Sequence, residues 1–375
     1  MKIAFVTDTH FGYRRFENDA YEQGKEAILS AARLADVLIL GGDNFDTPTP
    51  RMETLAEVTK ILREAREIFS KRGITSLPIL AIHGNHDRRA KGFVHPTELM
   101  AHAGFLENIH NRTVVVERGN EKIAVSGMGS IPEDLASEAI NQLACRPAIG
   151  IFNVFVFHQS LKEFGAMEES CLTFDDLPKG YDLYLCGHAH KPFLHGKVLN
   201  PGSTIVTQLR ADETGPRGWL LYDTNEKKAE FRPIKAREFI YKTIKIESGA
   251  TAEQTRTRIE EEIRKIVQAS AGKRHPIVKI VIEGSLAAGS ARLKLPQFGE
   301  DVFIENKIGS ESLKEKLVRI KEAWEKKIGV REIGMRILRK KLEGTSYNLG
   351  DPERLFESLI EKTAFDEIKE KIEKT

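Results

Sequence analysis

The sequence predicts a layered α/β protein, and three observations carry that expectation. Short apolar runs recur at residues 3–6, 37–40, 79–82, 154–157 and 183–185, stretches with helical periodicity fill the gaps, and a side chain able to ligate a metal follows each run within a few positions. Near-continuous runs of Ile, Val, Leu and Phe are what strands buried on both faces require. Their alternation with helices favours a sheet covered by those helices. At 114–116, 123–125, 204–208 and 219–222, β-branched and aromatic residues alternate or cluster between Gly and Pro turns, which predicts further strands in a second, more antiparallel sheet.

Helices are legible by their apolar faces. Leu55, Val58, Leu62, Ala65 and Phe69 line one face of a helix, and Phe93, Leu99 and Met100 flank another, with packing on the protein's own sheet as the default reading. The texture changes near Arg237. Ile244 and Ile246 alternate with Lys, Thr251 and Gln254 have capping-box spacing that opens a helix to about residue 267, and residues 277–282 read as a strand. After residue 313 the pattern is helical, with Leu317, Ile320, Trp324 and Ile328 at three- and four-residue steps amid Lys and Glu. Two further helices are expected around Leu355, Phe356, Leu359 and Ile360 and around Phe365, Ile368 and Ile372. Asp351-Pro352 is placed to start the first of them. The resulting division is residues 1–236, a small α/β unit at 237–309, and a helical segment at 310–375.

Composition bounds the class without naming a partner. The chain has 375 residues, enough for two or three domains, with 41% hydrophobic and 30% charged residues. Its 57 basic and 55 acidic side chains leave a net charge of +2, so a phosphate-binding surface has to be a local patch and not a global field. Cys145, Cys171 and Cys186 are widely spaced and form no CxxC, which fits a reducing interior and excludes a disulfide framework. The apolar run before Asp8 is too short for a signal-peptide core and no run reaches transmembrane length, so a soluble, cytoplasmic protein is expected.

The residues after the runs carry the chemistry: Asp8 and His10, Asp43, Asn85, His158, and His188 and His190. Side chains at the carboxyl ends of strands can converge on one point, so these seven predict a two-metal site along the edge of a sheet. In Asp8-Thr9-His10 and His188-Ala189-His190 the paired side chains point the same way from extended backbone. Gly41-Gly42 and Gly84 precede Asp43 and Asn85, where the chain must turn close to an ion. Mixed carboxylate, amide and imidazole donors suit an ion such as Mn²⁺, and no cysteine cluster offers a structural zinc site. Two ions about 3.5–4 Å apart share a bridging ligand, a role for which Asp43 is the natural candidate.

The order DxH, GD, GNH, H, GHxH resembles the calcineurin-type metallophosphoesterases in full. The resemblance implies a four-layer α-β-β-α sandwich with two Mn²⁺, one held by Asp8, His10, Asp43 and His190 and the other by Asp43, Asn85, His158 and His188. His86 is then the non-ligand histidine beside the leaving group, a general acid. The flanks His10-Phe11-Gly12-Tyr13, Asp43-Asn44-Phe45-Asp46 and Asn200-Pro201-Gly202-Ser203 are similar to the double-strand-break repair nucleases of the SbcD and meiotic-recombination-eleven type. That family implies 3′→5′ exonuclease and endonuclease activity on duplex ends and single strands, homodimerisation through helices, a DNA-capping domain, and a C-terminal helical segment gripping an SMC-like coiled-coil ATPase of the SbcC or Rad-fifty type. One departure stands out: Asp46 occupies the place of a second catalytic histidine found in many relatives, so Asp46 is expected to orient His86 or the loop and not to carry protons.

Tyr13, Arg14, Arg15, Arg51, Arg88, Arg89 and Lys91 share loops with the ligand set and are candidate DNA contacts, with solvated loop charge as the bland alternative. Two other functions stay open. One is a binuclear phosphodiesterase or phosphatase acting on small molecules or phosphoproteins; the other is a DNA-end tethering scaffold.

Overall fold

The structure is a computed structural model that describes the chain except residues 91, 166–170, 247–249, 270–273, 285, 287–292, 294, 296–297, 309–333, 336–337, 340–350, 352, 354–355 and 358–375. The chain divides into two compact units, Met1–Phe239 and Ile240–Thr375. Almost all of the expected C-terminal helical segment, and Lys91, lie outside the described residues.

The first unit begins with strand–helix repeats: β1 (Lys2–Val6), α1 (Glu17–Leu34), β2 (Val37–Gly41), α2 (Met52–Lys71), β3 (Ile79–Ile82), α3 (Pro96–His102) and β4 (Glu107–Asn108). These four strands pair in parallel in chain order. A second set follows, β5 (Arg112–Arg118), β6 (Glu121–Met128), α4 (Glu133–Asn141), β7 (Phe152–Phe157), β8 (Leu183–Cys186), β9 (Phe193–His195) and β10 (Val198–Asn200). The chain then returns through β11 (Gly218–Asp223) and β12 (Lys228–Pro233) to the first sheet. The two six-stranded sheets have the orders β12-β11-β1-β2-β3-β4 and β5-β6-β7-β8-β10-β9.

Side-chain alternation along each strand builds the layers. Ala4, Val6, Leu38 and Leu40 face α1 and α2, where Ala27, Ala31, Val58, Leu62, Ala65 and Phe69 cover them. Ile3, Phe5, Ile39 and Leu80 point the other way, onto Val125, Val154, Val156 and Leu185 of the second sheet. The outer face of that sheet, with Met128, Phe155 and Phe157, is covered by Ala136 and Ile140 of α4 and by Leu161, Leu172 and Leu177. The order is therefore helix, sheet, sheet, helix, as the resemblance implies. The apolar stripe of α2 faces the first sheet, while Phe93 and Leu99 near α3 stay exposed and only Met100 of that trio is buried.

Three expectations change. The second sheet is not mainly antiparallel, because β6, β7, β8 and β10 pair in parallel and only the flanking strands β5 and β9 reverse. Residues 219–222 belong to the first sheet, where β11 runs antiparallel beside β1. Residues 204–208 form no strand, since their backbone is bonded elsewhere: Thr204 N donates to Asp8 O, and Thr207 N and Gln208 N donate to the Glu213 carboxylate at 3.0 and 3.1 Å.

The second unit contains β13 (Phe239–Lys245), α5 (Ala252–Ala269), β14 (Ile277–Gly284) and β15 (Val302–Ile308). The capping box forms at the start of α5: Thr251 N donates to Gln254 Oε1 at 3.0 Å and Gln254 N donates to Thr251 Oγ1 at 3.2 Å. Ile259 and Ile263 of the helix pack on Ile244, Val278, Ile280 and Ile282 of the three-stranded sheet. Among the described residues no helix is long and apolar enough to cross a membrane.

The centre of the layer between the two large sheets is made of fully buried apolar side chains, so a void made there loses packing on all sides. Leu185→Ala, at a fully buried position of that layer, is expected to destabilise the first unit by about 2–5 kcal/mol, read as a lowered midpoint in urea unfolding.

Candidate metal centre

The seven polar side chains converge, but on the ends of two sheets and not one. Asp8, Asp43 and Asn85 follow β1, β2 and β3 of the first sheet, whereas His158 and His188 follow β7 and β8 of the second. Close packing of the sheets brings the two rows of strand ends together. The extended backbone expected for the two paired motifs does not form: Asp8, His10 and His188 have φ of 54°, 45° and 80°, and Asp43 has 47°, in the left-handed region that side chains disfavour. Such conformations persist where the surroundings over-determine them, commonly at functional sites. Gly42, at φ 95°, leaves the room this requires, since a Cβ there would come 2.5 Å from His158 Nδ1.

Ligand-type atoms lie within 4.8 Å of one another in three sets: Asp8, His10 and His190; Asp43, His158 and His188; and His10, Asp43 and His86. The first two sets are the donor clusters made only of residues expected as ligands. Asp43 Oδ2 faces both, lying 3.9 Å from His10 Nε2 and 3.4 Å from His158 Nε2. Asn85 Oδ1 completes the second group, 3.2 Å from His158 Nε2 and 2.9 Å from His188 Nδ1.

Neighbouring groups decide which atoms face inward. Asp8 Oδ2 accepts from Thr7 Oγ1 at 2.6 Å and His188 N at 3.1 Å, while its Oδ1 is buried with no hydrogen-bond partner. His158 Nδ1 lies 2.8 Å from Gly41 O, an atom that only accepts, so Nδ1 carries a proton and Nε2 points at Asn85 and Asp43. His190 Nδ1 meets Thr207 Oγ1 at 2.7 Å and Glu213 Oε1 at 3.3 Å, which turns its Nε2 to within 3.3 Å of His10 Nε2. An orphaned buried carboxylate oxygen and two imidazole nitrogens facing each other are the pattern that cations between them resolve.

The electrostatics agree. Burial pushes the Asp43 carboxyl up, but His158, His10 and His86 hold it well below the usual carboxylate range. Burial likewise opposes charge on His158, yet Asp43 and Asp8 raise it to about 9; burial and the nearby His158 lower His188 to about 4. The buried carboxylates thus draw a positive charge into the centre, here a proton, where a divalent cation would serve.

His86 lies at the exposed edge of this core, its ring centroid 4.7 Å from that of His10 and its ligand-type nitrogen within reach of Asp43. Its backbone N donates to Asp43 Oδ1 at 2.7 Å, its Nδ1 lies 3.2 Å from Asp46 O and 3.5 Å from Asp46 Oδ1, and its side chain is 44% exposed. Contact with Asp46 outweighs burial and raises it to about 9. Asp46 also lies 3.3 Å from His10 Nδ1, so one carboxylate supports two imidazoles.

The expected DNA contacts are dispersed. Arg14 and Arg15 are exposed on a short turn after His10. The Tyr13 hydroxyl donates to Thr207 O at 2.7 Å, Arg51 pairs with Glu17, and Arg89 lies over the Phe93 ring at 4.9 Å. Arg88 is half-buried. Sequence reasoning missed Thr7, Thr207, Glu213 and Arg217, which hold ligand-type residues from behind; the only signal was the i, i+4 spacing of Glu213 and Arg217.

The model of the calcineurin-like phosphoesterase family matches residues 1–192. The chain belongs to that family. Among curated proteins, this phosphoesterase is similar to the double-strand break repair protein mre-11 of Caenorhabditis elegans, 27% identical over 296 residues, covering 62% of this chain and 40% of the relative. The DNA double-strand break repair protein Mre11 of Saccharolobus solfataricus is 25% identical over 198 residues, 51% of this chain and 49% of the relative. Its counterpart in Methanopyrus kandleri is 26% identical over 336 residues, 81% of this chain and 68% of the relative. The matches thus span less than half of the first two relatives' own length.

Glu213 and Arg217 form a buried ion pair at 3.1 Å behind His190. Glu213→Gln leaves the guanidinium without its counter-charge and is expected to cost about 3–5 kcal/mol, measured by chemical unfolding. Burial raises the Glu213 carboxyl, but His190 and Arg217 bring it below its ordinary value. Its stabilising contribution is therefore present above the unfolded carboxylate pKa and fades as pH falls through the folded one, so the variant's deficit shrinks in acid.

Proposed function

We propose that the protein is a Mn²⁺-dependent DNA nuclease of the double-strand-break repair type. The single observation that carries the reading is Asp43 Oδ2 facing both donor clusters, at 3.9 Å from His10 and 3.4 Å from His158, inside a matched phosphoesterase domain. In this reading Asp8, His10, Asp43 and His190 hold one Mn²⁺, and Asp43, Asn85, His158 and His188 hold the other. Bound there, the two cations would supply Lewis acidity toward a phosphate oxygen and lower the pKa of water.

The chain's own groups do the rest. His86 donates a proton from its exposed ring to the departing 3′ oxygen, and Asp46 keeps it charged and oriented. A cavity of about 300 Å³ opens beside His188 and His190, lined in part by Phe164, Phe193, Lys191, Arg210 and Gln208. Phe164 and Phe193 stack on each other and Arg210 pairs with Asp212 at 2.7 Å, so the cavity offers an apolar wall and Lys191 beside the donor clusters for a nucleotide next to the scissile phosphate, without reading its base. Arg14, Arg15, Arg51, Arg88, Arg89 and Lys91 add backbone contacts.

DNA as substrate is favoured over a small phosphodiester by the similarity to repair proteins and by the second unit that follows the catalytic one. We further propose assembly as a homodimer through the exposed apolar residues Met52, Phe93, Val94 and Leu99. An SMC-like coiled-coil ATPase is the proposed partner of residues 310–375. The place of action is the nucleoid.

End-labelled duplex and single-stranded DNA are incubated with the protein and Mn²⁺, beside a simple aryl phosphodiester. DNA degradation lost on chelation is expected; turnover of the aryl ester alone would rule out a nuclease. His86→Ala is expected to lower the rate by about 10²–10⁴-fold with the metals still bound. Because the acid must be protonated, activity falls as pH rises through the His86 pKa. Asp46 is the largest cause raising that value, so Asp46→Asn should move the alkaline limb to lower pH; an unmoved limb would show that Asp46 does not tune His86.

A further inference from the structure

We propose that Thr97, at the start of α3, is a positioning residue of the metal centre, its hydroxyl setting the gap between the loop that carries Asp43 and the loop that carries Asn85. This rests on the metal-centre reading above. Neither loop reaches the other through regular sheet bonding, because Asp43 and Asn85 lie beyond the ends of β2 and β3. A buried net joins them instead. Asn44, next to Asp43, donates from its backbone N to Asp87 Oδ2 at 3.1 Å and from Nδ2 to Ile82 O at 2.9 Å and Thr97 Oγ1 at 3.1 Å. Thr97 Oγ1 in turn donates to Asp87 Oδ2 at 3.1 Å, and Asp87 Oδ1 accepts from Gly84 N at 2.5 Å.

The Thr97 hydroxyl therefore accepts from one ligand loop and donates to the other, and among uncharged side chains of its size only a hydroxyl does both. Asp87, Thr97 and Asn44 are 0%, 1% and 5% exposed, so no solvent stands ready to replace a lost bond. A second, independent tether keeps the start of α3 in place. The His95 ring stacks on His83 at 4.2 Å and 9°, and its Nδ1 accepts from Arg89 N at 2.8 Å, so that one residue contacts the chain on both sides of Gly84 to Asp87. Spacing matters because His158 Nε2 already lies 3.2 Å from Asn85 Oδ1 and 3.4 Å from Asp43 Oδ2; widening the loops pulls these donors off a common centre.

Thr97→Val keeps the side chain's shape and removes both hydrogen bonds, whereas Thr97→Ser keeps the hydroxyl. Mn²⁺ binding to the metal-stripped full chain is measured by calorimetry, and thermal unfolding is followed in chelator. Wild type and Thr97→Ser are expected to bind two Mn²⁺ alike, and Thr97→Val to bind one of the two about 10–100-fold more weakly. A merely structural threonine would lower the unfolding temperature of the valine variant and leave its Mn²⁺ affinities unchanged, and that result overturns the proposal. Asn44→Ala removes the bond to Thr97 from the opposite loop, together with the one to Ile82 O, and must weaken the same ion, which keeps the test decisive if Thr97→Val does not fold. Wild type that binds no Mn²⁺ would instead overturn the metal reading.

Discussion

A carboxylate buried at the junction of two sheets governs the first unit. Asp43 is 1% exposed, and its ionised form survives there only because imidazoles converge on it from both sheets. Here the interlocking apolar layer of Ile3, Phe5, Ile39 and Leu80 against Val125, Val154, Val156 and Leu185 sets the distance, so the chemistry at the rim inherits its precision from hydrocarbon packing below. The positive φ values at Asp8, His10, Asp43 and His188 show local backbone preference yielding to that demand.

The parts of this arrangement legible in the sequence are those in which one residue carries its own signal. Runs such as residues 79–82 announce strands because burial on both faces admits only apolar side chains, and observed β3 has those bounds. The Thr251 and Gln254 pair announced a helix start for an equally local reason, since each side chain caps the other's backbone. The seven polar residues after the runs were legible as a group because strand ends place side chains together whatever the intervening loops do. Their division between two sheets was not, as pairing between distant strands leaves no mark in a single apolar run.

What sequence misjudged depends on tertiary partners. Residues 204–208 have strand-like composition, but the carboxylate of Glu213 takes backbone donors that a neighbouring strand would otherwise use. Tyr13 reads as a candidate DNA contact beside a ligand pair, yet its hydroxyl holds Thr207, which in turn holds His190. Support of this kind is invisible in spacing. Thr7, Thr207, Glu213 and Arg217 touch ligand-type residues from positions scattered over the chain, joined only by the fold.

The Asp46 departure has a coherent physical reading in this geometry. A histidine at that position would place a third titrating ring against His10 and His86, whose centroids are already 4.7 Å apart, and each added positive charge would disfavour the others. A carboxylate does the reverse, because its negative charge favours the protonated form of His86, and it lies 3.3 Å from His10 Nδ1 while the opposite nitrogen of that ring faces Asp43. One side chain thereby lies against both imidazoles. On the function proposed above, His10 as a ligand and His86 as an acid would both lie against one carboxylate, so their positions are linked.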